Sequence, residues 1–170
     1  MGISPAMAGF IMMGYPLALI VASPIFGSWS DRLGSLPLLA AGLLTMGGVL
    51  AALGFLNLSY PLFLLIVLIV LLGVSMGMVT SPNNSLVMGR VGNEHLGLIS
   101  SLLALSRNLG MMFGTAAGGT LLVGGNATNM IGFRSVFVIC LILVVFSLVL
   151  LFLTVRYSKE RHRHEETMSS

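Results

Sequence analysis

One charged residue lies deep inside a long apolar run. Arg107 follows Gly97 by ten residues in a stretch with no other charge, which on a helix is a distance of about 15 Å. A charge at that depth in a bilayer costs between about 3 and more than 10 kcal/mol unless it faces protein or water. Arg107 is therefore a partner for an anion, a substrate or a coupled proton in a cavity, or a structural residue bonded to carbonyls, or a side chain reaching for the interface. Asn108 beside it could add a polar group, although adjacent helical residues lie on different faces.

A second candidate is the polar stretch between the first two apolar runs, which reads Gly27-Ser28-Trp29-Ser30-Asp31-Arg32-Leu33-Gly34. It places an acid and a base side by side between two glycines. An ordinary short loop with a solvated ion pair would have the same composition. The chemistry of this stretch therefore depends on the elements that position it.

Composition indicates what those elements are. The chain has 170 residues, of which 56% are hydrophobic and 8% are charged. A soluble domain carries about a quarter charged residues, so these few charges could not cover a water-exposed surface. Most of the surface must face lipid, and the length is better counted in crossings of about 20 residues each.

Five apolar segments separated by short polar breaks are predicted transmembrane helices. Their expected bounds are 5–27, 36–56, 61–81, 97–123 and 132–155. Helix is predicted because a spanning backbone must satisfy its own hydrogen bonds, and the segments lack the alternation of barrel strands. We expect a transmembrane domain over 1–156 and a basic cytoplasmic tail over 157–170.

Orientation follows from the basic residues of the breaks. One side holds the 28–35 and 89–96 breaks and the tail, with Arg32, Arg90, Arg156, Lys159, Arg161 and Arg163, whereas the other side holds Arg134 alone. The positive-inside rule places the first side in the cytoplasm. We therefore expect an external N-terminus and a cytoplasmic C-terminus in an inner or plasma membrane.

The 27–34 motif resembles the signature loop of the major facilitator superfamily, G-x-x-x-D-R-x-G on the cytoplasmic side between two helices. The resemblance implies that Gly27 and Gly34 allow a tight turn with close helix approach. It also implies that Asp31 and Arg32 form charge and helix-end interactions that hold one conformation, as a gate. Ser35-Leu36-Pro37 departs from the family pattern, in which further basic residues often follow, and such degenerate copies are typical of the second half of these transporters.

Residues 81–119 are similar to the penultimate-helix region of the drug:proton antiporter branch, particularly its fourteen-helix members. A Pro-Asn-x-x-x-hydrophobic-Met stretch begins at Pro82, and a glycine-rich helix with the Arg107–Asn108 pair follows. The resemblance implies that the five segments are the last five helices of a second half. We then expect an N-terminal portion of the transporter, including the first helix of this half, to lie outside this chain.

Two further sets of residues complete the predicted site. In the family the first and fourth helices face the cavity, so Phe10, Met12, Met111 and Phe113 are the expected lining for a hydrophobic or amphipathic substrate, beside Arg107 and Asn108. Small residues spaced by four allow helix backbones to approach closely, and this predicts helix packing at Gly73, Gly77, Gly110, Gly114 and Gly118. Asn83 and Asn84 after Pro82 either line a pore or, in the favoured interpretation, cap the end of the third helix.

Other classes of function have little support in the sequence. The single cysteine, Cys140, lies in an apolar run, so we expect no metal site, and we expect no cofactor. An enzyme is disfavoured because no catalytic pair lies within the apolar segments, and the clustering of basic residues in the tail argues against nucleic acid. No Asp or Glu lies inside the apolar segments, so a carboxylate that couples protons would belong to the portion outside this chain.

The sequence thus predicts an all-α integral membrane protein, with about five helices from a six-helix bundle of the major facilitator type. The chain is predicted to form part of a secondary active exporter. This exporter is expected to be coupled to protons, to carry amphipathic compounds and to work by alternating access. Two alternatives stay open: an uptake transporter for a small solute, and a small membrane subunit that does not transport.

Overall fold

The computed structural model describes residues 4–55, 61–89, 91–124 and 130–168. In these ranges the chain is helical apart from short connections, and five helices are long and apolar enough to cross a membrane. The predicted all-α membrane fold is confirmed. The helices are α1 (Pro5–Leu33), α2 (Ser35–Phe55), α3 (Leu62–Met88), α4 (Leu96–Gly124) and α5 (Met130–Met168), with a 3₁₀ turn at Asn93–His95 before α4.

The turn between α1 and α2 is shorter than the sequence indicates. Residues 28–33, predicted to form a break, continue α1, and Gly34 is the single residue between the two helices. Gly34 has φ 88° and ψ 145°, a backbone conformation that is essentially restricted to glycine. Its N–H donates to the carbonyl of Ser30 at 3.0 Å and closes the last turn of α1. The predicted break was wrong because its polar residues are compatible with helix, and only the glycine conformation ends it.

Two other helices also extend past their predicted ends. Helix α3 continues beyond 81 to Met88 with Pro82 inside it, and the Pro82 side chain is less than 2% exposed. Packing of that ring compensates for the hydrogen bond that proline removes from the helix. Helix α5 continues from 155 to Met168, through a segment rich in Lys, Arg and Glu, which are good helix formers in water.

Helix α3 is central to the bundle, between α1 and α2, and α2 also packs against α5. The buried apolar clusters all involve α2: Leu43 and Leu50 pack with Val144 of α5, and Val49 and Leu53 pack with Leu68 of α3. Helix α4 lies at the edge, with limited contact to α5 and α3. No described residue of α1 contacts α4, and no described side chain of α4 is buried.

The closest helix pair is α1 with α3, which meet through small residues. A Cβ added at Gly77 would lie 2.8 Å from the Cβ of Ala22, and one added at Gly27 would lie 2.9 Å from Oγ of Ser81. Gly73 similarly lies against the backbone carbonyl of Tyr15. The residue numbers of contacting pairs rise together along both helices, from Tyr15 with Gly73 to Gly27 with Ser81, so α1 and α3 run parallel.

Replacement of Gly77 by leucine tests this packing. We expect Gly77→Leu to destabilise the protein by about 1–3 kcal/mol, because a larger side chain at a filled contact forces the helices apart. The measurement is the apparent melting temperature in detergent. Gly48→Leu in α2 is the matched control, since no described atom lies within 4 Å of a Cβ added there. The melting temperature of this variant should stay at or above that of the wild type. Equal losses in the two variants would contradict the packing argument.

Candidate functional site

Arg107 lies close to the middle of its membrane span. The span of α4 covers Leu96–Thr120, and Arg107 is eleven residues from its first residue and thirteen from its last. At 1.5 Å per residue the guanidinium is attached roughly 16 Å from the start of the span, which is about half of a hydrocarbon core. The side chain is exposed in this chain. An arginine that extends to the interface from a late helix start is therefore disfavoured, because α4 begins at Leu96.

Arg107 has no hydrogen bond or ion pair with any described residue. The hydroxyls on the neighbouring turns bond to their own helix, since Ser100 donates to the carbonyl of Gly97 at 3.0 Å and Thr115 donates to that of Met111 at 2.8 Å. Within the described part of the chain, Arg107 does not donate to nearby carbonyls, so the structural interpretation finds no support there. Its five N–H donors are available to a group from elsewhere.

The face of α4 that carries Arg107 is open. Gly110, Gly114 and Met111 follow at spacings of three, seven and four, which place them on the same side of the helix. At Gly110, Gly114 and Gly118 an added Cβ would have no described atom within 4 Å. The packing predicted at these three glycines is therefore not found within the described residues, because α4 stands at the edge of the bundle. Gly73 and Gly77 do lie in a close contact, against α1.

The predicted lining residues are all strongly exposed, but they do not meet. Phe10 and Met12 of α1 are 75% and 68% exposed, and Met111 and Phe113 of α4 are 55% and 73% exposed. Since no described residue of α1 contacts α4, the two pairs share no wall here. Asn108 is exposed too, and it lies about 100° around the helix from Arg107, so the two do not form one patch.

The predicted gate motif divides into buried and exposed parts. Gly27 packs against Ser81 of α3, and Ser30, only 2% exposed, donates from its hydroxyl to Oγ of Ser35 at 2.8 Å. Asp31 and Arg32 are exposed, and neither forms an ion pair with a described residue. Arg32 is in the last turn of α1, where a positive charge is favoured by the helix dipole. The small residues therefore set the geometry of the turn and leave both charges available.

Two polar positions differ from what the sequence indicated: Ser30 was given no role, and Asn84 was interpreted as a helix cap. The Ser30 hydroxyl joins α1 to α2. Ser30 follows Gly27 by three residues and so lies on the same face of α1, the face that contacts α3, and this spacing is the signal that could have identified Ser30 as a packed position. The side-chain oxygen of Asn84 is buried without a hydrogen-bond partner among the described residues. The favoured interpretation of Asn83 and Asn84 as caps was wrong, because α3 continues past both to Met88.

Comparison with known proteins gives one family. The family model described as Major Facilitator Superfamily matches residues 1–168. Riboflavin transporter RibZ of Clostridioides difficile is 40% identical over 114 residues, which are 67% of this chain and 25% of that protein. Uncharacterized transporter YebQ of Escherichia coli is 30% identical over 138 residues, which are 76% of this chain and 29% of that protein. The chain thus spans between a quarter and a third of these relatives, and no solved structure matches it significantly.

The turn at Gly34 generates a test of the motif. We expect Gly34→Ala to cost about 1–3 kcal/mol, because a Cβ is strained at a φ of 88°. The measurement is again the apparent melting temperature in detergent. Gly92→Ala is the matched control, because Gly92 also lies in a short connection between helices but has φ −64°, and no described atom lies within 4 Å of a Cβ added there. A loss at position 92 as large as that at 34 would refute the assignment of strain to Gly34.

Proposed function

The chain belongs to the major facilitator superfamily, and on that premise we propose that it is part of a secondary transporter for a small amphipathic organic solute. The observation that carries the proposal is Arg107, a charge at the middle of a span on an open helix face without a described partner. Intramembrane charges of this kind mark substrate and ion pathways in membrane proteins. Five spanning helices are consistent with one wall of a cavity between two bundles.

The proposed mechanism is alternating access. Two bundles rock against each other around a site near the bilayer midplane, so that the site opens to each side in turn. In this scheme α1, α2 and α3 move as one body, because α1 and α3 are in close contact and Gly34 alone joins α1 to α2. Helix α4 presents Arg107 and Met111 to the cavity.

Asp31 and Arg32 serve as the gate in this proposal. Both are exposed at the end of α1 that the positive-inside rule places in the cytoplasm, and neither has a described ion-pair partner. Such charges can pair across the interface between bundles in one conformation only. A pair formed in one of two states shifts the equilibrium by its own free energy.

We propose that the direction of transport is export and that it is coupled to protons, as the drug:proton antiporter resemblance implies. The described spans contain one acidic residue, Asp31 at the end of α1, so the carboxylate that couples protons would come from outside this chain. Uptake of a flavin-like solute is the second candidate. It is supported by the 40% identity to a protein named as a riboflavin transporter.

The proposed orientation has a direct test by cysteine labelling. Cys140 is the single cysteine of this chain, so Cys140→Ser in a cysteine-free form of the full-length protein accepts new cysteines at defined sites. We expect Ser4→Cys to react with a membrane-impermeant maleimide in intact cells, and Glu94→Cys to react only after the membrane is permeabilised, because basic residues flank the cytoplasmic ends. The opposite pattern would reverse the assigned topology.

Transport itself is tested with the full-length protein in vesicles of known orientation. We expect accumulation of an amphipathic dye in inside-out vesicles that collapses when a protonophore is added. Riboflavin entering right-side-out vesicles instead would favour the uptake candidate. Absence of movement of either solute, in either orientation, would reject the proposed function.

The gate is tested in the same assay by Asp31→Asn. Loss of an exposed pair worth about 1 kcal/mol should lower the transport rate about fivefold, with the melting temperature unchanged. Glu94→Gln is the matched control, because Glu94 is also an exposed carboxylate and lies before α4 in a turn that the proposed topology places on the same side. Equal rates for Asp31→Asn and the control would remove Asp31 from the gate.

A further inference from the structure

With one exception, the charges of the described spans lie at the ends of those spans. In the five spanning helices, Asp31 and Arg32 lie at the last turn of α1, and Arg134 and Arg156 lie at the two ends of the α5 span. Arg107 is the single charged residue away from a span end in these described helices. The wall that this chain presents at the bilayer midplane is therefore positive.

The sign of that charge discriminates between classes of ligand. In a site with a low dielectric constant, an opposite charge is attracted and a like charge repelled far more strongly than in water. No described acidic side chain offsets Arg107, so this wall favours anions over lipophilic cations. A guanidinium also donates two parallel hydrogen bonds to a planar oxyanion.

The residues beside Arg107 indicate the chemistry of the rest of the ligand. Side chains of a helix lean toward its N-terminus, so the guanidinium leans toward the turn of Ala104 and leaves the next turn uncovered. The two turns that follow carry Met111, which is 55% exposed, and Gly110 and Gly114, where an added Cβ would have no described atom within 4 Å. A flexible thioether side chain adapts to apolar groups of varied shape. A charged group at Arg107 would thus continue into an apolar body along Met111.

We infer that the transported solute is an amphipathic anion, with a carboxylate or phosphate bound by Arg107 and an apolar body beside Met111. The inference rests on the proposed transport function and narrows its substrate class. It excludes lipophilic cations as the preferred solutes. It assigns Arg107 to substrate binding and not to an ion pair with a carboxylate of the protein.

The test is equilibrium dialysis of three naphthyl probes with the purified full-length protein in lipid nanodiscs. 1-Naphthylacetate, 1-naphthylacetamide and 1-naphthylmethylamine share one aromatic body and carry an anionic, a neutral and a cationic group. We expect the anion to bind at least about tenfold more tightly than the other two, the range expected of a charge-assisted hydrogen-bonded pair. Arg107→Gln should abolish that preference, and leave the amide within about twofold of its wild-type affinity.

Two further variants keep the test decisive. Arg107→Lys retains the charge without the planar fork, so it should keep a reduced preference for the anion, and it replaces Arg107→Gln if that variant does not fold. Arg156→Gln removes an exposed arginine at the span end of α5 and should leave all three affinities unchanged. The inference is overturned if the wild type lacks the preference, if the preference survives Arg107→Gln, or if that variant weakens all three probes alike, as loss of an ion pair within the protein would.

Failure of this inference is distinguishable from failure of the proposed function. Solute movement in vesicles without anion-selective binding would reject the anionic substrate and retain the transporter. Anion-selective binding that depends on Arg107, without solute movement in either vesicle orientation, would reject transport and retain the binding site.

Discussion

Close backbone contact between α1 and α3 is the constraint on which the rest of the structure depends. In lipid, apolar side chains gain little by leaving their solvent, so helices associate where small residues allow dense packing. Gly73 and Gly77 provide this on α3, against Tyr15 and Ala22 of α1. The contact orients two parallel spans, and the antiparallel α2 then packs on α3 through Leu53 and Leu68 and carries α5 with it.

The sequence predicts the number and the class of the helices because lipid leaves the backbone few alternatives. It does less well at helix ends. Residues 28–33 are predicted to form a break and 82–88 lie past the predicted end of the third helix, yet both continue a helix, because a polar segment at the edge of a bilayer is as stable in a helix as in a loop. Glycine spacing indicates close packing but does not name the partner. The same spacing of four places Gly77 in a filled contact and Gly114 in open space.

The open face of α4 and the depth of Arg107 in its span are physically linked. A helix that brought its glycines onto α1 or α3 would also carry Arg107 into the core of this bundle, where no described acidic group is available to pair with it. Burial of an unpaired charge costs more than the packing of a few glycines can offset. Helix α4 is stable at the edge, where its arginine can meet water, a solute or another bundle.

The proposed mechanism needs parts that stay rigid and parts that exchange partners, and this chain separates them by residue type. The rigid part is α1 to α3, joined by glycine contacts and by the one-residue turn at Gly34, whose backbone admits little else. Groups that can exchange partners, Asp31, Arg32 and Arg107, are exposed and lack described ion pairs. Dispersion contacts, which are short-ranged, thus hold the helices together. Charges act over longer distances, and in the proposed mechanism they remain available to respond to which side of the cavity is open and to what it contains.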